Sequence, residues 1–242
     1  MLRQAESIHM DSSDPNARHE LAMRMAELAR TTAAPSTLKQ VLDGVTAAVV
    51  ELIPGADLAG VLLVKKGGTF ESLAETDSLV AKLDKLQHEF SEGPCAEAAL
   101  QDTIVRSDDL RSEPRWPQFA PAAVELGVLS GLSFKLYTAD RTAGALNVFS
   151  HRADVWDADA ETTGAVLAAH AATAILAQRQ GEQLQAALLT RDRIGQAKGI
   201  IMVTYGVDDV IAFEMLRRIS QETQTKLAEI AQRVIDTRGE GK

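Results

Sequence analysis

The residues with the most chemistry to offer lie in the last quarter of the chain, beginning with the stretch RDRIGQAKGIIMVTYG at 191–206. In a helix, Arg191 and Lys198 stand seven apart on one face, with Arg193 and Gln196 between them. Lys226 and Arg233 repeat that spacing further on. Arg217 and Arg218 form an adjacent pair, and Gln221 follows Arg217 by about one turn. Ammonium and guanidinium groups attract phosphates whatever the base sequence, whereas Gln196, Gln221 and Gln224 can hydrogen-bond base edges. Tyr205 is the one aromatic placed to stack on an unpaired base. A charged helix face is also what a merely solvated surface looks like, so these residue types alone leave both readings open.

Elsewhere the chemistry is sparse. Cys95 follows a Gly-Pro turn, where a thiol at a helix N-terminus can have a lowered pKa and sense oxidants; the commoner role of such a cysteine is a small buried hydrophobe. His88, His151 and His170 show no metal-ligand spacing, and His170 sits in an Ala-rich helix that suits packing. The acidic clusters SDDL and DADAE have the character of turns and caps rather than of paired catalytic carboxylates. Trp116 and Phe119 belong to a core or close a pocket, with packing the expected role. No metal, haem or other cofactor is indicated.

Composition bounds the rest. The chain has 242 residues, 45% hydrophobic and 24% charged, enough for two soluble domains. A single cysteine excludes an intrachain disulfide or a CxxC pair, and the first twenty residues lack the apolar run of a signal peptide. No apolar run spans a bilayer, so a cytoplasmic protein with no membrane partner is expected. The formal net charge is −9, but residues 182–242 carry nine Lys+Arg and nine Asp+Glu. Subtraction from the totals of 25 and 34 leaves 16 positive and 25 negative charges on residues 1–181. The whole acidic excess therefore lies there, and the neutral final segment remains free to present a basic face.

The elements that must position these residues follow from periodicity. Residues 1–16 are polar and turn-rich, and a short amphipathic helix is expected near 17–30 through Leu21, Met25 and Leu28. Ser36 can cap the helix TLKQVLDGVTAAVVELI, ended by Pro54-Gly55. LAGVLLVKKGGTFESLAE is a hairpin around Lys65–Gly68, SLVAKLDKLQHEF a helix, GPCAEAAL a turn with a short helix, and TIVRSDDL a strand. VLSGLSFKLYTADRTAGALNVFSH is a second hairpin with Ala139–Arg141 at its tip. The order predicts an antiparallel sheet with helices packed on it.

A long helix, opened by Asp157 or Asp159, then runs toward Thr204, with breaks possible near Gly181. Leu184, Ala187, Leu188, Ile194, Ala197 and Ile201 supply a coiled-coil-like stripe along it. Past Tyr205-Gly206, Asp208 caps a helix burying Ile211, Met215 and Ile219. Thr225 caps another whose face is Leu227, Ile230, Ala231, Val234 and Ile235. The fold class is thus α+β: a sheet flanked by helices, joined by a long coiled-coil-like helix to an all-α three-helix module. The divisions expected are a tail and helix at 1–34, a domain at 35–180 and the helical module at 181–242.

These residues carry a resemblance. Ile194, Gln196-Ala197-Lys198-Gly199, Met202, Gly206, Ala212-Phe213, Leu216-Arg217 and the apolar pattern through Ala231 resemble the ANTAR domain, the RNA-binding output module of bacterial antiterminators. Ile211 departs from that pattern, which usually has a polar residue before the Ala-Phe pair. The segments EGPCAEAAL, RWPQFAPAAVELGVLSGLSFKL and GALNVFS resemble a GAF domain of the type fused to ANTAR modules in actinobacteria. The resemblance implies a homodimeric, signal-responsive regulator whose ANTAR part binds mRNA hairpin loops and promotes antitermination. It makes the GAF part a sensor for a small ligand or protein, or a dimerisation module. It also tips the charged helix faces from a solvated surface toward RNA contact. The residues read above by type and spacing, Arg191, Arg193, Gln196, Lys198, Tyr205, Arg217, Arg218, Gln221, Lys226 and Arg233, become the expected contacts. Lys198, which points away from the apolar stripe, is the first phosphate contact, and Gly199 allows a helix or RNA backbone to come close. A rival reading makes TKLAEIAQRVIDT part of a helix-turn-helix-like element on duplex DNA, although it is short of groove-reading side chains. An enzyme is not expected: GAF domains that reduce free methionine sulfoxide need more than one cysteine.

Overall fold

The computed structural model describes residues 22–27, 37–64, 69–100, 103–138 and 141–239, which divide into two compact units, Met1–Ala177 and Gln178–Lys242. In the first, residues 22–27 are helical; the remainder of the helix expected at 17–30 lies outside the described residues. Helix α1 (Leu38–Leu52) starts at Thr37 rather than Ser36, which also lies outside them. The Thr37 hydroxyl accepts from the Gln40 amide at 3.3 Å while Gln40 Oε1 accepts from the Thr37 amide at 2.8 Å, a reciprocal capping box.

Five strands follow in an antiparallel sheet: β1 (Leu58–Val64), β2 (Phe70–Leu73), β3 (Ile104–Ser107), β4 (Ser130–Thr138) and β5 (Arg141–Ser150), in the spatial order β2-β1-β5-β4-β3. Residues 65–68 and 139–140, at the two hairpin tips, lie outside the described residues. Pairing of β4 with β5 slips between Leu136 and Tyr137, beside Gly144. Gly144 has φ +156°, and a Cβ there would sit 1.9 Å from the Leu62 carbonyl oxygen, so this crossing requires glycine.

Alternation on the strands builds two cores. Ala59, Val61, Leu63, Leu132, Phe134, Leu136, Leu146 and Val148 face α1 and the first part of α5 (Ala158–Tyr205), whose Leu167, Ala168, Ala171 and Ile175 pack on them. On the opposite face Leu58, Val105 and Phe149 meet α2 (Ser78–Phe90), α3 (Pro94–Leu100) and α4 (Phe119–Glu125) through Val80, Leu83, Ala98, Phe119 and Ala123. Helix α4, and the 3₁₀ turn Leu110–Ser112 before it, are additions to the expected order. Pro114, Pro117 and Pro121 mask α4 in the sequence, but Pro121 stands in its first turn, where a missing N–H costs nothing. The Glu92 carboxylate accepts from the amides of Gln118 at 2.7 Å and Phe119 at 3.0 Å, supplying from a distant loop the cap that α4 lacks locally. Trp116 and Phe119 are buried in edge-to-face contact, as core residues.

Asp157 opens α5 by accepting from the Ala160 amide at 2.7 Å, and Arg106 ties the helix start to β3 through Glu161 and the Trp156 carbonyl. The break near Gly181 does not occur; α5 is one helix of 48 residues. A single helix costs only the propensity of its glycines.

The second unit comprises the end of α5, α6 (Asp209–Glu222) and α7 (Leu227–Gly239). Gly206, at φ +65°, ends α5 with its amide donating to the Met202 carbonyl at 3.0 Å. Asp208 caps α6 through the Ile211 amide at 2.9 Å. Thr225 does not cap α7: its hydroxyl donates to the Thr223 carbonyl. The core is Ala197, Ile201, Ala212, Leu216, Ile230 and Ala231, with Ile194, Met215, Leu227, Val234 and Ile235 around it. The buried face of α6 is therefore turned from the one expected, leaving Ile211 and Ile219 exposed. Three fully buried alanines, one per helix, explain the turn: they allow a closer helix approach than bulky side chains would.

Candidate nucleic-acid interface

The seven-residue spacing of Arg191 and Lys198 places both on a groove of about 870 Å³ within the second unit. Ala186, Ala187, Ile194 and Gly195 supply its apolar surface, Thr190 and Gln196 its hydrogen-bonding groups, and Phe213 of α6 the remaining wall. Of the expected contacts, Arg191, Gln196 and Lys198 are gathered here. Arg193, Tyr205, Arg217, Arg218, Gln221, Lys226 and Arg233 are exposed but do not line the groove. Arg217 and Arg218 lie 3.9 and 4.0 Å from Glu214 and Glu222 on their own helix, pairs too long and too exposed to hold them.

Lys198 is not a free surface cation. Only 21% of its side chain is exposed, its ammonium pairs with the Asp209 carboxylate at the start of α6, and it lies 5.8 Å from the centre of the Phe213 ring. Gly199 is not a point of close approach between helices: among the described residues nothing lies within 4 Å of a Cβ built there, or at Gly181 or Gly195. The stripe expected along α5 divides in two. Ile194, Ala197 and Ile201 serve the three-helix core, whereas Leu184 and Leu188 are 63% and 51% exposed.

Two residues important here were not singled out by sequence reasoning. Phe213 was visible only as half of the Ala-Phe pair, and Asp209 only as a residue beside a cap. The apolar count alone places a phenylalanine in the core; what puts it on the groove is the turned face of α6.

In the first unit, β3, β4 and α5 enclose a smaller groove of about 340 Å³ lined by Ile104, Phe134, Ala168, Ala172 and Leu176 among others. On the opposite face of the sheet lies a buried polar chain. Ser133 Oγ donates to Asn147 Oδ1 at 2.6 Å, Asn147 Nδ2 to Asp84 Oδ1 at 2.9 Å, and Ser72 Oγ to Asp84 Oδ2 at 2.7 Å. Burial raises the Asp84 pKa to about 6, against the hydrogen bonds it accepts from Ser72 and Asn147, which lower it. Cys95 is buried next to this chain, and burial, followed by the Asp84 charge, pushes its thiol upward. A buried thiol with a raised pKa fits the commoner role of a small buried hydrophobe rather than that of an exposed, acidified oxidant sensor. Among the described residues no group of His, Cys, Asp and Glu is placed to hold a metal ion, and no helix is long and apolar enough to cross a membrane.

Residues 35–176 match the GAF domain family and residues 182–235 the ANTAR domain. The chain belongs to the GAF family and carries an ANTAR domain. ANTAR domains are RNA-binding antitermination modules and GAF domains are sensors. No curated protein matches the sequence. Among solved structures, the GAF domain of a phosphoenolpyruvate-protein phosphotransferase from Coxiella burnetii is 19% identical, with a TM-score of 0.57 over 69% of this chain and 99% of that one. Bacteriophytochrome RpBphP3 from R. palustris is 12% identical, with a TM-score of 0.55 over 83% of this chain and 46% of that one. Free methionine-R-sulfoxide reductase from Neisseria meningitidis is 18% identical, with a TM-score of 0.50 over 73% of this chain and 99% of that one. At such identities the likeness is one of fold, and the GAF unit has the sheet and flanking helices it implies.

Proposed function

We propose that this GAF–ANTAR protein is a cytoplasmic, non-enzymatic regulator that binds hairpin loops of mRNA through its ANTAR domain and promotes transcription antitermination. The observation that carries the reading is the convergence of Arg191, Gln196 and Lys198 on one groove of the ANTAR domain, with an aromatic wall. Cations hold phosphates, and an amide and an aromatic face discriminate unpaired bases. The GAF domain acts as sensor or dimerisation module, and α5, common to both domains, carries the coupling. A homodimer would form along α5 through Leu184 and Leu188, both exposed and one helical turn apart. A duplex-DNA reader is less well supported, since α7 spends Leu227, Ile230, Ala231, Val234 and Ile235 on the core and leaves acidic Glu229 and Asp236 among its outward residues.

The test is a titration of the full-length protein with an RNA of two adjacent hairpins, the same RNA with scrambled loops, and a DNA duplex, at two salt concentrations. Loop-dependent binding that weakens with salt, and weakens severalfold in Lys198→Ala, is the expected result. Equal affinity for all three probes would reduce the domain to a nonspecific or protein-docking element.

A further inference from the structure

The groove on the ANTAR domain has a composition that phosphate binding does not explain. Its two cations are matched by acids, Asp192 on its wall and Asp209 on Lys198, so it is not a pocket of concentrated positive charge. What distinguishes it is Phe213, 38% exposed beside a core complete without it. The ring has one cation resting near its face, and Ala187, Ile194, Gly195, the Gln196 amide and the Thr190 hydroxyl line the same groove. The absence of a Cβ at Gly195 leaves that lining open.

We propose that this groove seats a single unpaired RNA base, stacked on Phe213, whose adjoining phosphate takes the Lys198 ammonium from Asp209. The proposal rests on the RNA-binding reading and deepens it. A planar, neutral ring with one attached charge is the ligand that suits an aromatic wall, a bidentate amide and a cation already half neutralised. A groove of about 870 Å³ falls within the roughly 300–1,000 Å³ typical of small-ligand sites, ample for one nucleotide. Asp209 makes the site selective: a phosphate reaches Lys198 only if base stacking compensates for breaking the ion pair. A polyanion without bases gains nothing from Phe213 and so competes poorly. The other possible occupant, a helix of a second copy, would be better served by the leucines at 184 and 188 than by a groove with two cations and a glutamine.

The experiment uses the full chain and the two-hairpin RNA, with abasic nucleotides walked one at a time through each loop, against wild type, Phe213→Leu, Phe213→Tyr and Asp209→Asn. The expected result is one loop position at which base removal and Phe213→Leu each cost about tenfold in Kd, with no further loss on combining them, while Phe213→Tyr binds like wild type. Asp209→Asn should tighten binding severalfold and steepen the salt dependence by about one phosphate contact. Thermal melts and sedimentation without RNA accompany each variant. Phe213→Leu binding as tightly as wild type overturns the proposal and leaves the RNA-binding reading standing, as does an equal loss at every abasic position. A Phe213→Leu variant that changes oligomeric state without RNA assigns the groove to a second copy instead. Failure of wild type to prefer any looped RNA removes the RNA-binding reading and this proposal together.

Discussion

Asp84 shows how a single side chain can set a property of a whole domain. It is held by Ser72 and Asn147 on the buried side of the sheet, with Ser133 behind Asn147. Desolvation dominates, so the folded pKa is about 6 against an ordinary 3.8. The folded state then binds the proton more tightly than the unfolded chain. Stability from this group is fully present below pH 3.8 and is lost as pH rises through about 6. The gap is worth at most about 3 kcal/mol. Asp84→Asn keeps the size and one acceptor but removes the charge. It should raise Tm at pH 7.5 and abolish that part of the pH dependence between pH 4 and 6.5, measured as the difference between wild-type and variant melts. A constant difference across that range would mean that Asp84 titrates normally. Neither Asp84 nor Phe213 stood out in the sequence, for a common reason: which way each points is decided by partners far along the chain. Asp84 sits in the repeat SLVAKLDKLQHEF like any solvent-facing acid until Asn147, 63 residues on, meets it.

At the scale of elements, the strand and helix order was legible wherever periodicity or a local cap marks it. The hairpins, α2 and the α6 cap at Asp208 are of this kind. Helix α4 was not, because its cap comes from Glu92 and its prolines imitate a loop. The face of α6 was misplaced by about one residue, since apolar spacing alone cannot weigh the close packing of Ala197, Ala212 and Ala231. The glycines of α5 make the same point in a testable form. Gly164 lies beneath Phe134, and a Cβ there would fall 2.1 Å from the ring. Gly164→Ala should therefore cost roughly 1–3 kcal/mol through overpacking, despite the gain in helix propensity. Among the described residues Gly181 and Gly195 meet nothing within 4 Å, so Gly181→Ala should stabilise the helix by about 1 kcal/mol. Denaturant melts of the two variants should move in opposite directions. Destabilisation by Gly181→Ala would place another backbone against that stretch of α5.

At the scale of the whole molecule, the partner proposed for α5 is a second copy, paired through the leucines at 184 and 188. Leu184 and Leu188 are one helical turn apart and exposed, and each would bury apolar area worth roughly 1.5–3 kcal/mol if covered. Two chains paired there would present two ANTAR domains to one RNA. Binding one hairpin then raises the effective concentration of the second domain near the second hairpin, so affinity for a two-hairpin RNA exceeds that for either hairpin alone without any new contact. Replacing both leucines by Glu should give a monomer in sedimentation at concentrations where wild type is dimeric. Because neither residue belongs to the three-helix core, the ANTAR fold should survive, and affinity for a single hairpin should stay within about twofold of wild type. Affinity for the two-hairpin RNA should fall by at least about tenfold. Equal losses on both RNAs would mean that the leucines act within one chain, and a variant that remains dimeric would move the interface elsewhere, with the GAF domain's own helices the next place to substitute. A signal that changes the pairing of α5 would act on the two-hairpin affinity alone, which is the quantity an antiterminator must control.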